Sequence, residues 1–599
     1  MIEDPREPST QIALTYTWKI DSIFPDKTSW EAEARSISDE AQRFELFKGT
    51  LGQSAEQLYR ALLARDVLLE RVGRIDAYAF LKFAADTRDD EANSLRQRAR
   101  TLCAQVSDSA SFVEPEILSL GSATIDRMMQ EHPSLETFRF LLSEVERRRA
   151  HSLSPEQEQL LAQLSPLSQI PESIRDAAHD GDMSFGSIIV EGKPLEVTHG
   201  NIEELLAHND RDVRASAYRS YTDGYMKNAQ SLGASLTAQA RSSLIFCKAR
   251  RYPSTFAAAL FDDRLDASVY TNAMKSCYEH QHLFHRYFRA RAKILGVEKI
   301  GEHDIMAKLS RSAAPIPYEK GVSLVLDALA PLGADYVKTA ERGLKEQGWA
   351  HVFPAPGKYS NAFSLSAYGS HPFLLLNYAP NMTEVGTLAH ELGHSMHSYF
   401  TSRAQPFGYS SYAMTVAETA SNLNQALLRD HILKNADRET TLAVLDEAFY
   451  YAHRYLFLMP VLSGVEHAMH QAYARGGAWS CGDLRKATVT AFSRAYGDSV
   501  AFEPERTGLK WAQFSHFYNP YYLFQYAIGI SAGMSIAPRL VAGEPGLKER
   551  YRDFLSAGAS KPVQEIFKTV GVDITSREMY RQAFKVVEGY VEKLEELAQ

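Results

Sequence analysis

Leu388-Ala389-His390-Glu391-Leu392-Gly393-His394-Ser395-Met396 decides how the rest of this chain is read. Two histidines four apart lie within ~40° of one another on a helix and can share one metal ion. Glu391 lies ~100° round from His390, on the flank, where a carboxylate reaches water at the metal without being a ligand. The set suits zinc, which favours imidazole nitrogen and keeps one position open in catalytic sites. The helix can start cleanly. Asn381 follows Pro380, Glu384 stands three residues on as in a capping box, and no breaker intervenes before His390. With 19 histidines in 599 residues, chance alone predicts about 0.04 such motifs, so two histidines on a solvated helix face is the weaker alternative.

A third ligand is then required. Val416-Ala417-Glu418-Thr419-Ala420-Ser421-Asn422 places one acid in a run of small residues, 24 positions after His394. Small side chains let a second helix pack closely on the first, so that a short carboxylate reaches the metal. Two His, one Glu and an open position make a hydrolytic zinc site.

Outward from the motif, the 45% hydrophobic composition excludes a disordered chain, and 34 Gly with 24 Pro are too few for a collagen-like or linker-rich one. A net charge of −9 argues against nucleic acid as the main partner. Met1 to Pro8 is acidic and proline-broken, unlike a secretory signal, and no apolar run nears the ~18 residues that span a bilayer. Cys103, Cys247, Cys277 and Cys481 lack C-x-x-C spacing and read as reduced thiols. The expectation is a cytoplasmic protein.

Helical period recurs after the capping box at Ser54-Ala55-Glu56-Gln57, where Leu58, Leu62, Leu69, Val72, Ile75 and Ala79 trace one apolar face. It returns near residues 202–250, 265–295, 318–347, 440–475 and 576–598. Strands are few: a hairpin at Ser187–Val190 and Leu195–Val197 about Glu191-Gly192-Lys193, and a segment from Pro372 to Tyr378. Pro166, Pro171, Gly181 and Gly186 interrupt the period and suggest a boundary, giving an N-terminal helical region 1–185 and a catalytic region 186–599. Val352 to Ser370 reads as a loop zone just ahead of the motif. The fold class is therefore mainly α with a small β element, and no repeat points to a solenoid.

His390 to His397 and Ala417-Glu418-Thr419-Ala420-Ser421 resemble the oligoendopeptidase F group of the thimet oligopeptidase/neurolysin family of zinc metallopeptidases. Trp18 to Pro25, Leu195 to Asn201, Ala328 to Gly333, His371 to Tyr378 and Gly571 to Ser576 carry the likeness over nearly the whole chain. The resemblance implies a two-lobed helical zincin with a small β-sheet beside a deep channel that admits oligopeptides and excludes folded proteins. It implies one zinc ion per chain on His390, His394 and Glu418, with Glu391 as general base. It also implies a role for a late His and Tyr cluster, His516 to Tyr526. Oxyanion stabilisation needs donors such as phenol or imidazole, and His516, Tyr522 and Tyr526 are the expected members. A helix capped by Asn519 and begun by Pro520 would put both tyrosines on one face, while Phe517 and Phe524 belong to a core.

The strand Phe373 to Tyr378 resembles the one that runs beside the family's cleft, where an extended peptide could add to an edge; an ordinary buried strand is the equal alternative. Two departures stand out. Gln425 occupies a place, seven residues after the ligand Glu, where an acid is usual; it can orient a histidine but lacks the charge that raises ligand basicity. Tyr359 and Asn361 stand where Arg and Gly are common, which bears on substrate preference. His397 reads as structural.

The expected reaction is hydrolysis of internal peptide bonds of short oligopeptides by a zinc-activated water, with Glu391 taking the proton. A dipeptidyl carboxypeptidase-type exopeptidase on the same scaffold, and a non-catalytic peptide-binding homologue, are the alternatives. Oligopeptides are the expected partners, without nucleic acid or membrane, and self-association is left open.

Overall fold

Helical period dominates the chain, and helices dominate the structure, a computed structural model that describes residues 16–599. The segment Met1 to Pro8 lies outside the described residues. Helices α1 (Lys27–Phe44), α2 (Ala55–Ala85) and α3 (Asp90–Ala110) are N-capped by Asp26, Ser54 and Asp89, whose side-chain oxygens accept first-turn backbone N–H groups. Leu58, Leu62, Val72, Ile75 and Ala79 of α2 enter one hydrophobic cluster, with Leu69 packed against it, as the spacing predicts.

The proline-rich stretch is a helix, not a break. Helix α4 (Pro155–Asp176) runs on through Pro166 and Pro171, and regular geometry yields only at a π turn, Ala177–Asp182. Pro166 cannot serve the carbonyl of Ala162, and the Ser165 hydroxyl donates to that oxygen instead at 2.9 Å. Beyond it, β1 (Ser187–Val190) and β2 (Lys193–Glu196) form the expected antiparallel hairpin. Its two turn residues, Glu191 and Gly192, have φ of 50° and 78°, the pair of positive values that a tight hairpin turn requires. Helix α5 (Arg211–Ala249), 39 residues long, then crosses the molecule.

The loop zone holds one strand that periodicity did not reveal, Phe363–Ser366, and the expected segment at Pro372 pairs with it. β3 (Ala350–His351), β4 (Phe363–Ser366) and β5 (Pro372–Leu375) form a three-stranded sheet in the order β3-β5-β4. β5 is thus central and fully buried, not an edge. Its unbroken apolar run has a physical reason: Phe373 and Leu375 join the cluster built from Trp18 to Val145, while Leu374 and Leu376 join the cluster that begins at Phe185. One strand, by its two-residue alternation, is shared between two cores.

Downstream stand α6 (Met382–Ala404), α7 (Met414–Leu433), α8 (Arg438–His453), α9 (Met459–Ala474), α10 (Gln525–Val541) and α11 (Glu578–Leu597). A π turn, Arg454–Leu458, separates α8 from α9. Among the described residues no helix is long and apolar enough to cross a membrane.

Candidate metal centre and active site

Three helices meet at glycines. A side chain on Gly393 of α6 would stand 2.6 Å from the Cα of Ser421 and 2.7 Å from the carbonyl oxygen of Ala420, so α6 and α7 touch backbone to backbone. Gly529 of α10 faces Glu418 in the same way, its absent Cβ lying 2.4 Å from the Glu418 Cβ. Small residues around Glu418 and glycines opposite them set the ligand's depth, as the run Ala417 to Ser421 predicts. Asn381 caps α6 by accepting the Glu384 N–H at 3.1 Å, which fixes the phase of His390 and His394.

The structure brings the three expected ligands together. His390 Nε2 and His394 Nε2 lie 3.2 Å apart, and the Glu418 oxygens lie 3.6 Å and 3.8 Å from them. Ligand atoms ~2.1 Å from one ion and spaced in this way subtend about 100° to 130°, close to tetrahedral. His394, buried among His390 and His397, is held well below the usual imidazole range and offers a lone pair. Burial raises the Glu418 carboxyl, with His390 and a hydrogen bond from Ser421 opposing. The donor set fits one divalent ion. Glu391 is buried beside it, and burial pushes its carboxyl up to about 7, a range suited to taking and returning a proton.

Behind His390 the departure at Gln425 acquires a structural account. His390 Nδ1 bonds to Gln425 Oε1 at 3.0 Å, which leaves Nε2 for the ion. Gln425 Nε2 donates to Glu447 Oε1 at 2.9 Å, and Arg429 grips the same carboxylate through Nε and Nη2 at 2.6 Å and 2.8 Å. All four side chains are buried. The carboxylate absent at position 425 stands one residue further out, paired with a guanidinium, and Gln425 links it to the histidine.

His516, Tyr522 and Tyr526 do meet, with ring centroids 5.5 to 5.7 Å apart and His516 Nε2 3.2 Å from the Tyr526 hydroxyl. The backbone that brings them together differs from the expectation. Pro520 starts no helix; His516 lies in a 3-10 turn, Ser515–Tyr518, and α10 begins only at Gln525. Tyr521, with φ of 61°, interrupts helical geometry between them. Phe517 and Phe524 are core members, as expected. Burial, with Arg454 and Arg175 nearby, lowers His516 to about 4, so its imidazole is neutral at neutral pH. Burial, reinforced by the field of Glu418, raises Tyr522 and Tyr526, which stay protonated as donors.

Tyr455 was not anticipated. It stacks on Tyr526 at 4.7 Å and senses Glu418, and it sits in the π turn after α8. Such turns re-aim side chains at functional sites, but no local residue pattern announces one. Tyr451, in the last turn of α8, stacks on His390 at 5.8 Å and was not anticipated either.

The edge beside the centre belongs to β4. Its inner side pairs with β5, and Ser364 bonds to Ser395, the neighbour of His394, at 2.8 Å. The preceding loop is pinned by Lys358, whose buried ammonium donates to the carbonyls of His351, Phe353 and Leu376, and by Asn377, which donates to those of Tyr359 and Ser360. His397 is buried against Tyr412 at 3.7 Å, in keeping with a structural role. A second group, His179, Asp180 and His199, brings ligand atoms together but stacks its imidazoles face to face at 3.8 Å and 15°. Lone pairs in parallel planes do not converge on one ion, and both nitrogens of His199 are already engaged, by Tyr221 and the His179 carbonyl.

Fold and site together fit a metal-dependent hydrolase whose candidate ligands come from two helices in backbone contact. Residues 205–586 match the model of peptidase family M3, and residues 116–185 match that of Oligopeptidase F. Among similar proteins, Oligopeptidase PepF of Bacillus subtilis is 31% identical over 98% of this chain and 88% of its own length. Group B oligopeptidase PepB of Streptococcus agalactiae is 29% identical over 98% of both chains. The crystal structure of oligoendopeptidase-F from Enterococcus faecium superposes with a TM-score of 0.76 at 28% identity, covering 95% of this chain and 99% of that one. The chain belongs to peptidase family M3 and is a metallopeptidase.

Proposed function

We propose that the protein is a zinc endopeptidase that cuts internal bonds of oligopeptides, with His390, His394 and Glu418 as ligands and Glu391 as general base. The observation that carries this reading is the 3.2 to 3.8 Å triangle of His390, His394 and Glu418 atoms with a buried Glu391 beside it, its carboxyl raised by burial to about 7. Zinc held there supplies Lewis acidity, acidifying water and polarising the scissile carbonyl. Glu391 takes the proton of the attacking water and passes it to the leaving amine. His516, Tyr522 and Tyr526, joined by Tyr455, donate to the developing oxyanion. The free edge of β4 receives the substrate as an added strand and aligns its backbone over α6.

The same reading divides the chain into a helical region 1–185 and a catalytic region 186–599, supported by two hydrophobic clusters whose residues fall largely on either side of that line. Four unpaired thiols are in keeping with a cytoplasmic setting. Glu391→Gln should keep its zinc, measured by metal analysis, and lose at least ~10³-fold in kcat on a quenched peptide blocked at both ends. Wild-type turnover in that variant refutes the assignment, and failure of the wild type to cut the blocked peptide internally favours an exopeptidase.

A further inference from the structure

Among the described residues four that are not glycine have positive φ, and Tyr521 is the one whose side chain is fully buried. A bulky residue holds the left-handed conformation only where its surroundings impose it. Two contacts impose it here. The backbone N–H of Tyr521 donates to Glu466 Oε1 of α9 at 2.6 Å, and its ring is enclosed by Phe256, Tyr270 and His470, with its hydroxyl 3.1 Å from His467 Nδ1.

Glu466 is fully buried, and among the described residues no cation faces it and its second oxygen has no partner. Burial pushes its carboxyl up to about 8, so it is a neutral acid at neutral pH. A lone acid in such a place is costly, and a leucine would pack there without that cost. Its one hydrogen bond is to the residue that precedes Tyr522. Consecutive side chains then diverge: Tyr521 enters the core beneath α9, and Tyr522 faces His516, Tyr526 and the field of Glu418.

We propose that Glu466 is a positioning residue for Tyr522: by accepting the Tyr521 N–H it holds the 519–522 turn in the backbone state that presents the Tyr522 hydroxyl to the metal centre. The assignment rests on the peptidase reading above. Glu466→Gln keeps an uncharged acceptor at the same reach and should hold kcat within about twofold of wild type on the blocked peptide. Glu466→Leu keeps the volume without the acceptor; it should lose about 10- to 100-fold in kcat with KM and zinc content little changed, because the oxyanion contact is made in the transition state. If Tyr522 is the route, adding Tyr522→Phe to Glu466→Leu should cost far less than Tyr522→Phe alone. Should the leucine variant not fold, Glu466→Asp withdraws the acid by one carbon and should show the same selective loss of kcat. Full kcat in the leucine or aspartate variant, or losses that simply multiply with Tyr522→Phe, would overturn the assignment while wild-type activity left the peptidase reading intact. A wild type inert on every peptide would take both down.

Discussion

Gly529→Ala adds one methyl group behind Glu418, the proposed third metal ligand. Its Cβ would lie 2.4 Å from the Glu418 Cβ and 3.1 Å from the Glu418 carbonyl carbon. Carbon atoms not bonded to each other settle at about 3.5 to 4.0 Å, so α7 and α10 must part locally by about 1 Å. The metal cannot follow, since its bonds tolerate only about 0.2 Å. Glu418 already stands 3.6 Å from His390 and 3.8 Å from His394, and a further ångström leaves the ion on two histidines. We expect zinc affinity to fall at least about tenfold, the lower end of what disturbing a ligand's support costs, with kcat/KM on the blocked peptide falling in parallel. Overpacking should cost about 1 to 3 kcal/mol of stability besides.

That stability cost needs a control. Gly233→Ala, on α5, places a Cβ 2.6 Å from the Cβ of Cys481, a clash of similar severity on a helix that carries none of the three proposed ligands. It should lower the melting temperature about as much and leave zinc affinity unchanged. The assay is competition with a chromophoric chelator, with thermal melting of both variants alongside. Wild-type zinc affinity in a folded Gly529→Ala protein would refute the claim that backbone contact sets the ligand's depth. An equal affinity loss in Gly233→Ala would show that general loosening is responsible.

Glu447→Gln tests the charge placed behind His390. It leaves the buried Arg429 without its anion, which should cost about 3 to 5 kcal/mol of stability, and it loosens Gln425, which should weaken zinc binding by about 10- to 100-fold; unchanged binding in a folded variant would reduce Glu447 to a structural partner of Arg429. His453→Phe tests the acid limb of stability. Burial, with Lys510, Arg291 and Arg454, lowers the His453 imidazole to about 3, against ~6.5 unfolded. Its contribution is therefore fully present above ~6.5 and is lost as pH falls toward 3, at about 1.4 kcal/mol per pH unit. Phenylalanine fits the same pocket against Phe284, Phe288 and Phe457. The variant should lose about 2 kcal/mol less than wild type between pH 6.5 and 5 in urea unfolding, and equal losses would remove His453 from the account.

How far the molecule could be read from its residues follows from the range over which each residue's influence acts. His390, His394 and Glu391 are legible because a helix carries a fixed angle per residue, and Asn381 is legible because a cap acts within one turn. Glu418 became legible by composition: only small neighbours let an acid sit that deep, and Gly393 and Gly529 complete the contact. The strand β5 is legible by its apolar run, but the run alone does not say whether both sides are paired, so an edge strand and a buried strand stay equally open in the sequence; β3 on one side and β4 on the other decide for the buried one. Asn519-Pro520 is a good local start signal for a helix, and it lost to one long-range hydrogen bond, from the Tyr521 N–H to Glu466, 55 residues apart. Gln425 and Glu447 are 22 residues apart, and their bond leaves no period along the chain. Read alone, Gln425 looks like a loss of charge at the metal; with Glu447 in place it is a neutral relay, which turns a suspected defect into a testable second support for His390. The departures in this site are thus compensated by contacts that cross helices, and such contacts become visible only when the helices are set against one another.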